Sequence, residues 1–99
     1  MASNFKILIH KNSESLHLKL MGEFDGTSAH ELLETIKGHG SRMNKIFIHT
    51  SGLRAIFPFG KTSFQNNFST INNLSTSVIF TGNHANQLAP EERRIHSRA

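Results

Sequence analysis

The residues able to do chemistry in this chain are few, and their types limit what it can catalyse. Ala55 through Thr62 reads A-x-x-x-x-G-K-T, a permissive match to the phosphate-binding loop. That loop works when small residues let successive backbone amides curl around a phosphate, with lysine at the charge and the hydroxyl on magnesium. Here its interior is Ile56-Phe57-Pro58-Phe59. Proline removes a donor, bulky side chains obstruct the wrap, and no acid follows before Glu91 to hold a metal. Seven histidines stand at 10, 17, 30, 39, 49, 84 and 96, with no i, i+4 pair and no HExxH pattern. His10 and His17 can approach each other across a hairpin, but a zinc site needs further ligands that the spacing does not supply. His49 is expected to point toward the segment that follows it. Asp25 is the chain's one aspartate, and no serine sits in a glycine-flanked elbow, which removes a Ser-His-Asp nucleophile. Glu23 and Asp25 read more simply as turn and cap chemistry. The chain contains no cysteine, hence no thiolate and no disulfide. We therefore assign no catalytic residue, no metal and no cofactor, and expect a protein that is not an enzyme.

The elements that must position these residues follow from periodicity. Phe5, Ile7 and Ile9 alternate with polar residues, as do Leu16, Leu18 and Leu20, giving two strands across the polar turn 12–15 and an antiparallel hairpin. Ser28 with Glu31 forms a capping box, and Ala29, Leu32, Leu33 and Ile36 then recur at helical spacing until Gly38 or Gly40. Ile46 to Ile48 is a short apolar run suited to a strand buried on both faces, and Thr50-Ser51-Gly52 reads as a turn. A second run, Ile56 to Phe59, leads into a helix beginning near Pro58. Phe57, Lys61, Phe64, Phe68 and Ile71 share one helical face, and such a stripe reads as core. Residues 77–80 form another short strand. Residues 84–89 form a third helix that Pro90 interrupts, and 91–99 is a frayed or helical tail. The order is β-β-α-β-α-β-α. This predicts an α/β fold in one domain, residues 1–99: a mixed sheet entered by an N-terminal hairpin, then βα units with right-handed crossovers and helices packed on the sheet.

Composition narrows the partner. A chain of 99 residues with 36% hydrophobic content suits one soluble domain, and no apolar run approaches the roughly 20 residues a membrane span needs. The N-terminus lacks a signal-peptide layout, so membrane insertion is not expected and the cytoplasm is the expected setting. Net charge is +4, and no acid occurs from Thr35 through Pro90 while Lys37, Arg42, Lys45, Arg54 and Lys61 do. The positive half could favour an acidic partner or an anion. The eleven Lys and Arg residues are scattered, however, which argues against nucleic acid as the partner.

Gly22-Glu23-Phe24-Asp25, followed by Thr27-Ser28-Ala29 and an amphipathic helix, resembles the G-E-L-D start of STAS domains, which anti-sigma factor antagonists and sulfate transporters share. The sequel is similar too: a buried strand, a Ser51-Gly52-Leu53 turn, Ile56, and a Gly60 that opens a helix. The resemblance spans Phe5 to Pro90. It implies a hairpin-entered sheet with helices and a regulatory, protein-binding role without catalysis, in a bacterial cytoplasm. In the antagonists a D-S-S-G motif carries a serine that the partner kinase phosphorylates. That motif falls here on Phe57-Pro58-Phe59-Gly60, and only the glycine is retained. The acid that often ends the preceding strand falls on His49, while Asp25 is kept. Thr62 and Ser63 come a turn too late to replace the phospho-acceptor, and the family's further strand after the third helix is missing or displaced.

The reading that results is a protein-binding module without the usual phospho-switch. Its docking residues are Arg54, Phe57, Pro58, Phe59, Gly60, Lys61 and Phe64. The resemblance implies a partner such as a kinase-like anti-sigma factor or a component of a transport complex, and an open sheet face or edge also allows a homodimer. The alternative is a nucleotide or other small anion bound at the 56–63 junction by Lys61, Thr62 and Ser63.

Overall fold

Alternation in the first third of the chain becomes a hairpin because one parity of side chains finds a core and the other does not. The computed structural model describes residues 4–40, 44–68 and 77–89. Within them run β1 (Lys6–Lys11), β2 (Ser15–Phe24), α1 (Gly26–Gly40), β3 (Lys45–Ile56), α2 (Pro58–Phe68), β4 (Ser77–Thr81) and α3 (Ala85–Leu88). One sheet has the order β1-β2-β3-β4, antiparallel between the first two strands and parallel between the rest. The expected element order and mixed sheet are therefore observed. Ile71, Asn72, Asn73 and the 91–99 tail lie outside the described residues.

Both parallel crossovers lead to adjacent strands in one direction, which stacks α1 and α2 on the same face, where they pack together. Leu16, Leu18 and Leu20 of β2, Ile46 and Ile48 of β3, and Val78 and Phe80 of β4 point to that face and are buried. Leu32, Leu33 and Ile36 of α1, Phe64 and Phe68 of α2, and Ala85 and Leu88 of α3 close over them. The opposite parity, including Leu8, His17, Lys19, Phe47, His49 and Ile79, is half-buried or exposed on a face that no described helix covers. So β3 is a buried strand on one side only.

One expectation about a turn needs correction. Thr50-Ser51-Gly52 is not a turn: β3 runs unbroken through it to Ile56. The pairing with β2 slips between Lys19 and Met21 and again between Gly22 and Glu23, so the glycines mark irregularities inside a ladder rather than its end. Gly22 adopts φ +93°, and a Cβ there would collide with the Asn4 carbonyl. After β4 the chain turns through Thr81-Gly82-Asn83, with Gly82 at φ +100°. Thr50 fastens it, donating its hydroxyl to the Thr81 carbonyl (2.8 Å) and accepting from the His84 amide (3.1 Å). Gln65 of α2 reaches the end of α3, its side-chain amide 3.1 Å from both the Gln87 and Ala89 carbonyls. That single side chain satisfies carbonyls that a four-residue helix leaves open.

Candidate functional site

The starts of α1 and α2 meet at one end of the sheet. Asp25, not Ser28, caps α1. Its Oδ1 accepts from the Ser28 amide at 3.0 Å, and its carbonyl accepts the first helical bond from Ala29 at 2.9 Å. The expected capping box therefore shifts by one turn. Ser28 becomes the third helical residue, and its hydroxyl lies between the Glu23 carbonyl (3.0 Å) and Asp25 Oδ1 (3.1 Å). The Ser28 amide is the main reason the Asp25 carboxyl sits below its usual range. Asp25 is thus an ionised, oriented acid at the rim of the junction.

Phe57 closes β3 onto β2 by donating its amide to the Phe24 carbonyl (2.9 Å), and the chain turns into α2 through Pro58. Phe57 and Phe59 project outward, 43% and 73% exposed. Phe59 lies against Gly26, where an added Cβ would sit 2.7 Å from its ring. Asp25, Gly26, Thr27, His30 and Phe59 line a shallow open depression between the two helix starts. Gly60 is buried and packs on the Asp25 backbone, so it shapes the junction without offering a surface.

The predicted docking residues divide. Phe57, Pro58 and Phe59 stand exposed together at the α2 start, with Lys61 half-buried beside them. Phe64 is corrected: it is fully buried, edge-on to Phe24 and Phe80 with ring centroids 6.1 Å apart in both pairs, and cannot meet a partner. Arg54 lines a different depression, with Asn4, Lys6, Met21, Gly22 and Gly52. Of the residues expected to hold an anion, the Lys61 amide already donates to the Phe57 carbonyl at 3.0 Å. Thr62 is exposed, and Ser63 turns to a separate depression shared with Glu34 and Lys37. The three do not converge. Gly26, Thr27 and His30 were not legible as part of the site, because their role depends on which helix start lies opposite them.

His49 does not face the junction. It stands on the open sheet face beside His17, the two rings nearly coplanar with centroids 5.1 Å apart and 5° between planes, and His17 stacks on Phe47 at 4.8 Å and 7°. His17 Nδ1 and His49 Nε2 are 2.9 Å apart, and His49 Nδ1 is 2.6 Å from the Thr81 hydroxyl. His10 is paired across the hairpin with His17, centroids 6.3 Å apart. No three His, Asp or Glu side chains among the described residues are grouped to hold a metal. Both nitrogens of a neutral His49 are used, one donating and one accepting. Burial, then the charges of His17 and Lys19, hold its pKa below the usual 6.5.

A basic group whose charged form is disfavoured by folding contributes stability that is complete above its unfolded pKa and is lost as pH falls toward the folded value. Stability is therefore expected to decline as pH drops below about 6.5. Melting temperatures at pH 8 and pH 5.5 check this, and His49→Gln should flatten the decline. An unchanged slope in that variant would remove His49 as the cause.

No protein-family model matches the chain, and no curated protein matches it in sequence. Solved structures do match in shape. An anti-sigma factor antagonist from Mycobacterium paratuberculosis superposes with a TM-score of 0.59 at 16% identity, covering 86% of this chain and 75% of that one. The unphosphorylated anti-sigma factor antagonist SpoIIAA gives 0.56 at 14% identity, with 77% and 70% covered. The structure described as Mglu gives 0.67 at 10% identity over 77% of this chain, which spans only 19% of that protein's length. No helix among the described residues is long and apolar enough to cross a membrane. The mixed sheet entered by a hairpin, with α1 and α2 packed on one face and their starts brought together at its end, is the STAS-like fold of the anti-sigma factor antagonists.

Proposed function

We propose that this chain is a STAS-like regulatory module that binds a protein partner at the α1–α2 junction, in a bacterial cytoplasm and without catalysis. The observation that carries the reading is the pair of exposed rings at the α2 start, Phe59 at 73% and Phe57 at 43%. An exposed aromatic pair beside an oriented acid has the composition of an interface anchor: apolar rings that lose water on docking, and a rim that sets register. Pro58 stiffens the turn that presents them, which lowers the entropic cost of ordering on binding. Phenylalanine at the position of the antagonists' phospho-acceptor makes association independent of phosphorylation there. Asp25, Thr27 and His30 line the depression with Phe59, Lys61 follows half-buried in α2, and Gly60 packs on the Asp25 backbone.

The test is capture from a bacterial lysate by the tagged full chain, followed by measured affinity for the protein recovered. Phe59→Asp places a charge where a dry contact is needed and should weaken that affinity at least about tenfold with the melting temperature unchanged. Full affinity in Phe59→Asp would place the interface elsewhere.

A further inference from the structure

Cations that are scattered in sequence meet on one face of the sheet. Strand register puts Lys6 on β1, Lys19 on β2 and Lys45 on β3 on the face away from the helices, and Arg54 shares a depression with Lys6. Carboxylates gather elsewhere. Asp25 caps α1, Glu31 and Glu34 lie along it, and Glu34 is engaged by Lys37 at 3.8 Å. Glu14 accepts from the Asn44 side chain. Among the described residues only Glu23, near the far end of β2, shares the parity of the basic face. At the centre of that face the rings of His17, Phe47 and His49 keep their planes within 5–7° of one another, His17 joined edge to edge to His49 at 2.9 Å, and each residue is half-buried, so part of the group meets solvent.

Charge and ring geometry together select the occupant. A second copy would oppose one set of lysines to another and is disfavoured. An acidic protein surface would satisfy the lysines but makes no use of three partly open planar rings between them. A duplex keeps its bases inside. A single strand offers both halves of the match, phosphates for ammonium groups and free bases for planar side chains. We infer that the open sheet face docks single-stranded nucleic acid, with Lys6, Lys19 and Lys45 at its phosphates and the rings of His17, Phe47 and His49 at its bases. This inference is independent of the α1–α2 junction.

Fluorescence anisotropy of a labelled oligothymidylate of about 12 nucleotides, titrated with the full chain at several salt concentrations, tests it. Saturable binding is expected, weaker for the corresponding duplex, with log K falling linearly against log salt. Lys19→Gln and Lys45→Gln should each reduce that slope by about 0.7. Phe47→Leu should weaken binding about tenfold with the slope unchanged. Phe59→Asp should bind as the wild type does, which separates this surface from the docking site proposed above. Circular dichroism reports whether Phe47→Leu folds; if it does not, the exposed lysine variants decide. Absence of binding at low salt, slopes unaltered by the lysine changes, wild-type affinity in a folded Phe47→Leu, or equal binding of polyglutamate would each overturn the inference.

Discussion

Replacing Phe64 with alanine is expected to destabilise the fold by about 3–5 kcal/mol, whereas Phe59→Ala should change stability by less than about 0.5 kcal/mol. The two residues are five positions apart on one helix and chemically identical, so the contrast isolates environment. Phe64 is fully buried and touches three other rings: Phe24, Phe68 at 5.4 Å, and Phe80. Each edge-to-face or tilted contact adds about 0.5–1.5 kcal/mol beyond the apolar area removed from water. Alanine would leave a cavity between α2 and the sheet, walled by Phe24 on β2 and Phe80 on β4, which cannot both move in to fill it. Total stability in a domain of this size is of order 5–15 kcal/mol, so Phe64→Leu provides a graded variant if alanine unfolds the chain. Urea denaturation midpoints supply the measurement. A Phe59→Ala loss comparable with that of Phe64→Ala would mean the exposed ring is packed after all, and the docking proposal would lose its anchor.

That contrast also shows where sequence reading stops. Phe64 and Phe68 recur at helical spacing with Phe57, and the stripe read as core; this holds for the first two because they lie within α2. Phe57 precedes the helix, so helical periodicity does not govern it and it emerges at the surface. The hairpin, the order of elements and the place of the junction were legible because alternation and helical spacing are local signals. Glycine was ambiguous: Gly52 can end a strand or interrupt its pairing, and only the neighbouring β2 decides between the two. Asp25 and Ser28 are both strong capping residues, and the carboxylate wins because Ser28 finds a second acceptor at Glu23. The ring cluster and the basic face could not be read at all. Their members come from different strands and become neighbours only through parallel register, which the spacing of one strand does not encode.

The junction itself is expected to fail when Gly60 gains a methyl group. A Cβ at Gly60 would stand 2.7 Å from the carbonyl carbon and oxygen of Asp25 and 2.8 Å from its Cα. These are backbone atoms, and they cannot retreat freely, since the same residue accepts from the Ser28 and Ala29 amides to start α1. Gly60→Ala must therefore push the two helix starts apart or break that cap, at about 1–3 kcal/mol. No backbone strain enters, because Gly60 is helical and alanine is the better helix former; the change would be favourable on an exposed helix. Gly26→Ala is the matched comparison. Its Cβ would meet Phe59 at similar distances, 2.7 and 2.8 Å, but the obstacle there is an exposed ring that can swing aside. Gly26→Ala should accordingly cost less stability than Gly60→Ala while displacing Phe59 and weakening partner capture. Equal stability losses, or none in Gly60→Ala, would show that α1 and α2 are not held together at their starts, and the platform that presents Phe59 would have to be sought elsewhere in the fold.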